Sequence, residues 1–323
     1  MEKNLIWLLD DEWEDHELEF AVLREALPEA DIRLTTHDFA GDLAAFGKDA
    51  DVIISQISFN FTREILAQLT RCKGIAVTGS GYNNIDVRSA KELGIPVTNV
   101  NGYCAEDLAD YVLAAVFHYY KRLSAFATGI TDGRWGAAAV DAPIHRLSRQ
   151  KLFLIGCGFI GSVTAKRAGA LGMQVMVYDP YLSEERIREC GAEPVSLEQG
   201  LREADFVSVH VALTDATRGL VDMSYFRQMK PTAVLINVSR GPVIRESDLI
   251  EALNTGVIAG AVLDVVTVEP IRQDDPLLTA KNILITPHVS YASAEAMEDL
   301  RRQAVNNALT MLRGERPRDL VRC

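Results

Sequence analysis

A glycine-rich turn near the middle of the chain constrains the fold more than any other feature. The apolar run Lys151–Ile155 predicts a buried strand, and it is followed at once by Gly156-Cys157-Gly158-Phe159-Ile160-Gly161 and a helical pattern. At this spacing Gly156 permits a tight turn, Gly158 lets the backbone approach a pyrophosphate, and Gly161 lets the helix pack against the strand. The first N–H groups of that helix, including those of Phe159 and Ile160, suit phosphates. The segment therefore predicts a dinucleotide site.

The next predicted strand ends at an acidic residue. This strand, 174–179, places the Asp179 carboxylate where it can accept hydrogen bonds from the ribose diol of an adenosine and would repel a 2′-phosphate. Pro180 and Tyr181 follow, with no arginine beside them to receive such a phosphate. We therefore expect NAD, with NADP less favoured. Asp179 has an alternative interpretation as a residue that caps a turn or a helix.

Short apolar runs alternate with amphipathic stretches along almost the whole chain. Runs rich in β-branched residues and separated by helical patterns are typical of parallel strands buried on both faces. The predicted strands are 5–10, 51–55, 74–78, 152–155, 174–179, 206–211, 233–238, 260–263 and 283–286. The predicted fold class is α/β, with two doubly wound parallel-sheet domains.

The position of the glycine-rich turn predicts how the domains are arranged. A dinucleotide fold begins at the strand before this turn, so the residues before it form another unit with its own strand–helix rhythm. We expect a substrate domain at 1–101, completed by 290–323, and a dinucleotide-binding domain at 102–289. A long helical pattern at 104–125 would lead into the second domain, 126–149 would form an irregular arm, and a final helix at 293–312 would return to the first.

Composition limits the partners and the compartment. Asp and Glu number 45 against 33 Lys and Arg, for a net charge of −12. There is no basic excess or stripe of the kind that nucleic-acid binders show, and an anionic substrate would need a local positive site. No signal peptide and no apolar run of membrane-spanning length is visible. The five scattered cysteines include no CxxC, which favours reduced thiols, a cytoplasmic location and no metal site.

Three candidate catalytic residues fall at the ends of predicted strands. Arg240, Glu269 and His288 each follow an apolar run, and ligands of open α/β sheets bind beyond the carboxyl ends of the strands. Arginine offers a planar fork for a carboxylate and a carbonyl oxygen, and histidine exchanges a proton near neutral pH. A glutamate paired with that histidine would favour its protonated form. Singly, the three could be a surface cation, a solvated loop residue and a cap.

Here the sequence resembles a known family, the NAD-dependent D-isomer-specific 2-hydroxyacid dehydrogenases. The resemblance covers nearly the whole chain and is carried by GCGFIG with YDP, ADFVSVHVALTDATRGL, MKPTAVLINVSRGPVI, LDVVTVEP and TPHVS. It implies a Rossmann dinucleotide-binding domain inserted into a flavodoxin-like substrate domain. It also implies hydride transfer between a 2-oxo acid and its (R)-2-hydroxy acid, and a homodimer formed through the helix and arm of 104–149.

The resemblance implies roles for the residues of the second domain. Arg240 would bind and polarise the 2-oxo acid, His288 would be the acid–base, and Glu269 its partner. Asp264 would face the nicotinamide end of the cofactor. Val238 and Ser239 join it among the candidate cofactor-binding residues, while His210 is interpreted as structural or adjacent to the cofactor.

The resemblance also implies a substrate loop in the first domain. The segment TGSGYNNID at 78–86 matches that loop, and the backbone N–H groups of Ser80 and Gly81 would hold the substrate carboxylate. This would be the local anion site that the acidic chain requires. Tyr103 and Tyr291 are candidate walls of the side-chain pocket, although either could belong to the core.

Some positions depart from the family pattern and leave alternatives open. Ala212 replaces a usual proline, Phe159 stands where many members carry a basic residue beside the pyrophosphate, and Tyr291 replaces a usual glycine. The region around Tyr291 is similar to the glycerate dehydrogenase/hydroxypyruvate reductase branch and to the C-terminal-binding-protein-like branch. The alternatives are therefore an NAD-sensing binding module of the latter kind, or a dehydrogenase acting on phosphite or formate. The presence of Glu269 argues against the formate type.

Overall fold

The chain is described from a computed structural model, which covers residues 3–10, 13, 15–36, 38–141 and 143–321. Contacts within the chain divide it into two compact units. The first comprises Met1–Tyr103 and Ser293–Cys323, and the second comprises Cys104–Ala292. Helices and strands are numbered in chain order.

The first unit is built on a five-stranded parallel sheet. Its strands are β1 (Leu5–Leu9), β2 (Asp31–Leu34), β3 (Val52–Ser55), β4 (Ile75–Val77) and β5 (Val97–Thr98), in the order β2-β1-β3-β4-β5. This is the flavodoxin-like order. Its helices are α1 (Glu17–Ala26), α2 (Phe39–Ala45), α3 (Arg63–Leu66), α4 (Val87–Glu92) and α12 (Ala294–Leu312).

Side chains that alternate along β1 explain why this sheet is covered on both faces. Ile6 and Leu8 pack in an apolar cluster with residues of α12, whereas Trp7 and Leu9 pack in a separate cluster on the other side. Successive side chains of a strand point to opposite faces, so a continuous apolar run needs apolar partners on both. The indole of Trp7 is fully buried and stacks on Phe39 at 5.5 Å between ring centroids.

The second unit is built on a seven-stranded parallel sheet in the order β12-β11-β10-β9-β6-β7-β8. The strands are β6 (Lys151–Ile155), β7 (Gln174–Tyr178), β8 (Glu193–Pro194), β9 (Phe206–Val209), β10 (Val234–Asn237), β11 (Gly260–Leu263) and β12 (Ile283–Ile285). The chain runs outward from β6 through β7 to β8, then returns to β9 on the other side of β6. This is the Rossmann order with one added strand, and it places a switch point at β6.

The described residues of the second unit also form a set of helices. They are α5 (Ala105–Lys121), α6 (Leu123–Thr131), α7 (Phe159–Ala170), α8 (Glu184–Glu189), α9 (Leu197–Glu203), α10 (Met223–Phe226) and α11 (Glu246–Thr255). Helix α5 packs along α7, and the Arg167 guanidinium on α7 pairs with Glu106 and Asp110 on α5. These contacts fix α5 against the helix that follows the glycine-rich turn.

The predicted fold class is confirmed, and two local predictions are wrong. The pattern at 104–125 is not one helix, because Arg122 takes a left-handed conformation with φ of 50° that ends α5 and starts α6. The stretch predicted as irregular therefore remains helical as far as Thr131. Strands β2, β5 and β8 were not predicted. They lie at the edges of their sheets, and β5 and β8 have only two residues each.

Candidate active site

The glycine-rich turn after β6 has the geometry that its spacing predicts. Gly156 has a φ of 96°, and a Cβ atom there would lie 2.8 Å from the carbonyl oxygen of His210. A Cβ atom at Gly161 would lie 2.7 Å from the carbonyl oxygen of Gly156, whereas one at Gly158 would meet nothing within 4 Å. The outer glycines are thus required for packing, and the middle one faces open space that a pyrophosphate can fill.

Helix α7 begins at this turn and supplies hydrogen-bond donors. Within the part of the chain that the structure describes, the N–H groups of Gly158, Phe159, Ile160 and Gly161 donate to no protein acceptor. The N-terminus of a helix is a binding site for anions because these groups and the helix dipole point at the ligand. Phe159 is 67% exposed, and as an apolar residue it contributes no charge at this position. The turn and the helix start together fit a dinucleotide.

Asp179 follows β7 and lies directly beside the glycine-rich turn. Its Oδ2 atom accepts a hydrogen bond from the Cys157 N–H at 2.9 Å, and its Oδ1 atom accepts one from the Tyr181 N–H at 2.9 Å. The carboxylate therefore fastens the turn to the end of β7. Each oxygen has a second lone pair, so the expected ribose contact is compatible with both bonds and stays a prediction.

His210 follows β9 and packs against the same turn. Its N–H donates to the carbonyl oxygen of Ile155 at 2.8 Å, and its ring Nε2 pairs with the Ser208 hydroxyl at 2.9 Å. Burial lowers the pKa of His210 from 6.5 to about 4. The ring is therefore neutral at physiological pH, which suits a packing role beside the cofactor turn.

The turn after β10 carries Arg240. The Asn237 side chain closes this turn with three hydrogen bonds. Its Oδ1 accepts from the N–H of Ser239 at 3.1 Å and from the hydroxyl of Ser239 at 2.9 Å. Its Nδ2 donates to the carbonyl oxygen of Arg240 at 3.0 Å. Val238 is buried, whereas Ser239 and Arg240 are partly exposed. Asn237 was not singled out from sequence, although an asparagine at a strand end is a recognisable turn former.

Gly241 allows the Arg240 turn to approach the segment after β11. A Cβ atom at Gly241 would lie only 1.9 Å from the carbonyl carbon of Val266 and 2.4 Å from the Thr267 nitrogen. No side chain can therefore occupy this position unless the two segments separate. Since Glu269 lies three residues beyond Val266, the glycine sets how closely the arginine and glutamate segments meet.

Glu269 and His288 form a hydrogen-bonded pair. The His288 Nδ1 lies 2.8 Å from Glu269 Oε2, and Glu269 Oε1 accepts the Val266 N–H at 3.0 Å. Among the described residues no protein group bonds the other ring nitrogen, Nε2. The two side chains are 28% and 37% exposed, so the pair is accessible.

The charges at this pair are mutually compatible. Burial alone would raise the pKa of Glu269, but the hydrogen bond and charge of His288, the Val266 N–H and the charge of Arg240 together lower it. The glutamate is therefore ionised at neutral pH, and the arginine lies within electrostatic reach of it. The structure thus brings together all three residues that the sequence singled out as catalytic.

Asp264 follows β11 and has a fully buried carboxylate. Its Oδ1 accepts from the Thr286 hydroxyl at 2.6 Å and the Val289 N–H at 2.9 Å, and its Oδ2 accepts from the Ser290 N–H at 2.8 Å. Its carbonyl oxygen accepts the His288 N–H at 2.9 Å. The described bonds of Asp264 hold the histidine segment, and its expected contact with the nicotinamide end stays a prediction.

The candidate substrate residues lie in both units. In the second, Tyr291 meets His288 edge to face, with ring centroids 6.1 Å apart. In the first, the Ser80 hydroxyl donates to the Val100 carbonyl at 3.0 Å, and the Ser80 carbonyl accepts from Asn99 at 2.8 Å. Across the described residues, the N–H groups of Ser80 and Gly81 donate to no protein acceptor. Tyr103 packs at the edge of the apolar cluster of α12, as the core interpretation allows.

The described residues lack two features. No helix among them is both long and apolar enough to cross a bilayer. No three histidine, cysteine, aspartate or glutamate side chains among them are grouped so as to hold a metal ion.

Comparison with known proteins identifies the family. Residues 113–290 match the NAD binding domain of the D-isomer specific 2-hydroxyacid dehydrogenases. The chain is 36% identical to a glyoxylate reductase of Korarchaeum cryptofilum over 276 residues, covering 85% of this chain and 83% of the relative. It is also 36% identical to a hydroxypyruvate reductase of Blautia hydrogenotrophica over 270 residues, covering 82% of this chain and 83% of that relative.

A solved structure supports the same conclusion. The crystal structure of the TT0316 protein from Thermus thermophilus superposes with a TM-score of 0.83 at 30% identity, covering 98% of this chain and all of the other. The chain therefore belongs to the D-isomer specific 2-hydroxyacid dehydrogenases. It is an NAD-dependent oxidoreductase that interconverts 2-oxo acids and 2-hydroxy acids, as the sequence predicted.

Proposed function

We propose that this enzyme reduces a small 2-oxo acid, with glyoxylate and hydroxypyruvate as the first candidates, and that Arg240, Glu269 and His288 carry out the reaction. The observation that carries the proposal is the 2.8 Å bond between His288 and Glu269, within electrostatic reach of Arg240. The two candidate substrates are those that the relatives from Korarchaeum and Blautia are named for.

His288 is the proton donor of the proposed reduction. Its Nδ1 is held by Glu269, so Nε2 is the atom that gives a proton to the carbonyl oxygen of the substrate. The ionised glutamate orients the ring through this hydrogen bond. NADH, when bound, supplies the hydride that reduces C2 of the acid. In the oxidation direction the same Nε2 accepts the proton of the hydroxyl group.

Arg240 and the first unit bind the anionic end of the substrate. The guanidinium offers a fork of donors to the carboxylate and the adjacent carbonyl oxygen. The N–H groups of Ser80 and Gly81 supply further donors to the carboxylate. These groups give a chain of net charge −12 the local positive site that an acid requires. Tyr291, beside His288, is the proposed wall of the side-chain pocket, with Tyr103 a second candidate.

The cofactor contacts are proposed from the turn geometry. The N–H groups from Gly158 to Gly161 would bind the pyrophosphate, and Asp179 would accept from the adenosine ribose and disfavour a 2′-phosphate. Val238, Ser239 and Asp264 would line the nicotinamide end. We accordingly propose that NADH is used in preference to NADPH.

The test is a panel of acids assayed by oxidation of NADH and of NADPH. Glyoxylate, hydroxypyruvate, pyruvate, phenylpyruvate and a branched 2-oxo acid are compared, and phosphite and formate are tested with NAD in the other direction. We expect the highest kcat/KM for glyoxylate or hydroxypyruvate with NADH. Tight NADH binding without turnover of any acid would contradict the proposal and favour an NAD-sensing binding module. Turnover of phosphite or formate alone would favour a dehydrogenase that acts on one of those two substrates.

We propose further that two copies of the chain associate through the segment 104–149. Large apolar side chains on this segment are exposed, including Leu123, Ile130 and Trp135, the last of which is 84% exposed. Exposed apolar residues in such number mark interaction surfaces. Sedimentation of Trp135→Ser is expected to show more monomer than the wild type, whereas Tyr181→Ser, at a residue 91% exposed outside this segment, should leave the mass unchanged.

The remaining partner and location proposals follow from composition. The net charge of −12 disfavours binding to nucleic acid or to anionic membranes. The cysteines Cys72, Cys157 and Cys190 are free thiols. Free thiols suit a reducing compartment, and we propose that the enzyme works in the cytoplasm with a small 2-oxo or 2-hydroxy acid as its only other partner.

A further inference from the structure

The histidine of the active site takes an unusual backbone conformation. His288 has a φ of 53°, in the left-handed region that residues other than glycine seldom adopt. The hydrogen bonds of Asp264 surround this residue, since they include the N–H groups of His288, Val289 and Ser290. The ring position therefore depends on how firmly Asp264 itself holds the segment.

A tyrosine on α5 extends this network. The Tyr111 hydroxyl lies 2.5 Å from the Thr286 hydroxyl, which in turn donates to Asp264 Oδ1 at 2.6 Å. A threonine hydroxyl has one proton, and here it is given to the carboxylate, so the tyrosine must be the donor to Thr286. The order of donation is thus Tyr111 to Thr286 to Asp264, and it ends on the carboxylate that fixes the His288 segment.

The phenol is suited to a fixed donor role. Burial raises the pKa of Tyr111, and the charge of Asp264 acts in the same direction, while the bond to Thr286 opposes them only in part. The hydroxyl therefore remains protonated throughout the pH range in which the enzyme would work. It lies on α5, which packs along α7, so the donor sits on a rigid element.

We propose that Tyr111 is a positioning residue for the acid–base histidine, acting through Thr286 and Asp264. The inference rests on the proposed role of His288. None of the described hydrogen bonds joins Tyr111 to His288 or to Glu269. Tyr111 orients the Thr286 hydroxyl and, through it, the carboxylate that holds the backbone. Loss of the phenol hydroxyl leaves Thr286 free to rotate and loosens the left-handed segment, while the glycine-rich turn is unaffected.

The same helix provides a matched control. Tyr119 lies two turns further along α5, about 12 Å away at 1.5 Å per residue. Its hydroxyl donates to the carbonyl oxygens of Asn282 and of Ala261, the latter at 3.2 Å, near the amino ends of β12 and β11. Burial raises the pKa of Tyr119 to about 12. Tyr119→Phe therefore removes a comparably placed hydroxyl far from His288.

The kinetic arm compares Tyr111→Phe with Tyr119→Phe, and Thr286→Val with Thr286→Ser. We expect Tyr111→Phe and Thr286→Val to lower kcat about tenfold, since a misplacement of 1 Å can cost about 100-fold. KM for the 2-oxo acid and Kd for NADH should stay within about twofold, because the binding groups are intact. Tyr119→Phe and Thr286→Ser, which keeps the hydroxyl, should retain the wild-type kcat. Equal kcat in the two Tyr→Phe variants, or a loss confined to NADH binding, overturns the proposal.

A second arm does not depend on turnover. Hydrogen exchange followed by mass spectrometry reports on the peptide that contains the Val289 and Ser290 amides, which donate to Asp264. We expect faster exchange there in Tyr111→Phe and no change in Tyr119→Phe. If none of the tested 2-oxo acids supports NADH oxidation by the wild type, the proposed function fails. The exchange measurement still decides the inference, because equal exchange in both variants overturns it. Should Tyr111→Phe not fold, Thr286→Val answers the same question.

Discussion

Two histidines follow strands of the same sheet, and their surroundings give them different chemistry. His210, after β9, pairs with the neutral hydroxyl of Ser208, and burial lowers its pKa to about 4. His288, after β12, pairs with a carboxylate that Arg240 and the Val266 N–H help to keep ionised. Position at a strand end is therefore not enough for acid–base function. The charge of the hydrogen-bond partner distinguishes the two imidazoles.

The largest effect that this comparison predicts follows removal of the His288 imidazole. His288→Gln should lower kcat by about 100- to 10,000-fold, the usual contribution of a positioned acid–base. The Kd for NADH, measured by fluorescence titration, should change little because the glycine-rich turn is untouched. His210→Gln is the matched control and should retain most of kcat. Normal turnover in His288→Gln would show that His288 is not the acid–base of the reaction.

Removal of the carboxylate partner should have the next largest effect. Glu269→Gln keeps the shape of the side chain but removes the charge that faces His288 Nδ1 at 2.8 Å, so we expect kcat for reduction to fall about 10- to 100-fold. The measurement is kcat with NADH at a saturating concentration of the 2-oxo acid. An unchanged kcat would show that the charge of Glu269 is not needed for the reaction.

The same substitution has a pH-dependent effect on stability. The pKa of Glu269 is lowered in the folded state, so its contribution is present above the unfolded value of about 4.3 and is lost as pH falls through the folded value. The difference in Tm between wild type and Glu269→Gln should therefore hold from pH 7 to about pH 5 and shrink on acidification below about pH 4.3. A constant difference would contradict this.

The sequence predicts the cofactor turn and the catalytic residues unequally. The cofactor turn is formed by residues close together in the chain, whereas the catalytic residues are far apart in it. The glycine-rich turn and Asp179 fall within one strand–helix–strand unit, so the spacing alone locates them. Arg240, Glu269 and His288 meet only because β10, β11 and β12 are neighbours in the sheet. Their joint position could be expected from strand ends and from the family resemblance. The clearance at Gly241 that makes the meeting possible could not.

Other features depend on tertiary contacts that leave little trace in the sequence. The bond between Tyr111 and Thr286 joins residues 175 positions apart, and a tyrosine within a helical pattern gives no sign of it. The left-handed Arg122 interrupts a pattern that reads as continuous helix, since arginine carries no preference for that conformation. Strand β2, at the edge of its sheet, is half exposed and contains Asp31 and Arg33, so it lacks the apolar run of the central strands.

A smaller effect is predicted for His210, and it appears only in acid. Between pH 6.5 and about 4 the unfolded chain binds a proton at His210 that the folded protein excludes, so stability falls as pH falls through this window. Between pH 7 and pH 5 the loss is about 2 kcal/mol, or roughly 4–8 °C in Tm. His210→Asn cannot bind that proton, so its Tm should fall less over the same interval. Parallel losses in the two proteins would show that His210 titrates normally.

The smallest effect is predicted for the loss of the Ser208 hydroxyl, the neutral hydrogen-bond partner of His210. Ser208→Ala removes the hydroxyl that bonds His210 Nε2 at 2.9 Å, and we expect a loss of stability of about 1 kcal/mol at pH 7, the typical value for one neutral hydrogen bond. Ser208 is fully buried. Turnover should remain at the wild-type value, in contrast to Glu269→Gln. Since both substitutions take the partner from an imidazole, a large loss of kcat in Ser208→Ala would mean that His210, too, belongs to the catalytic machinery.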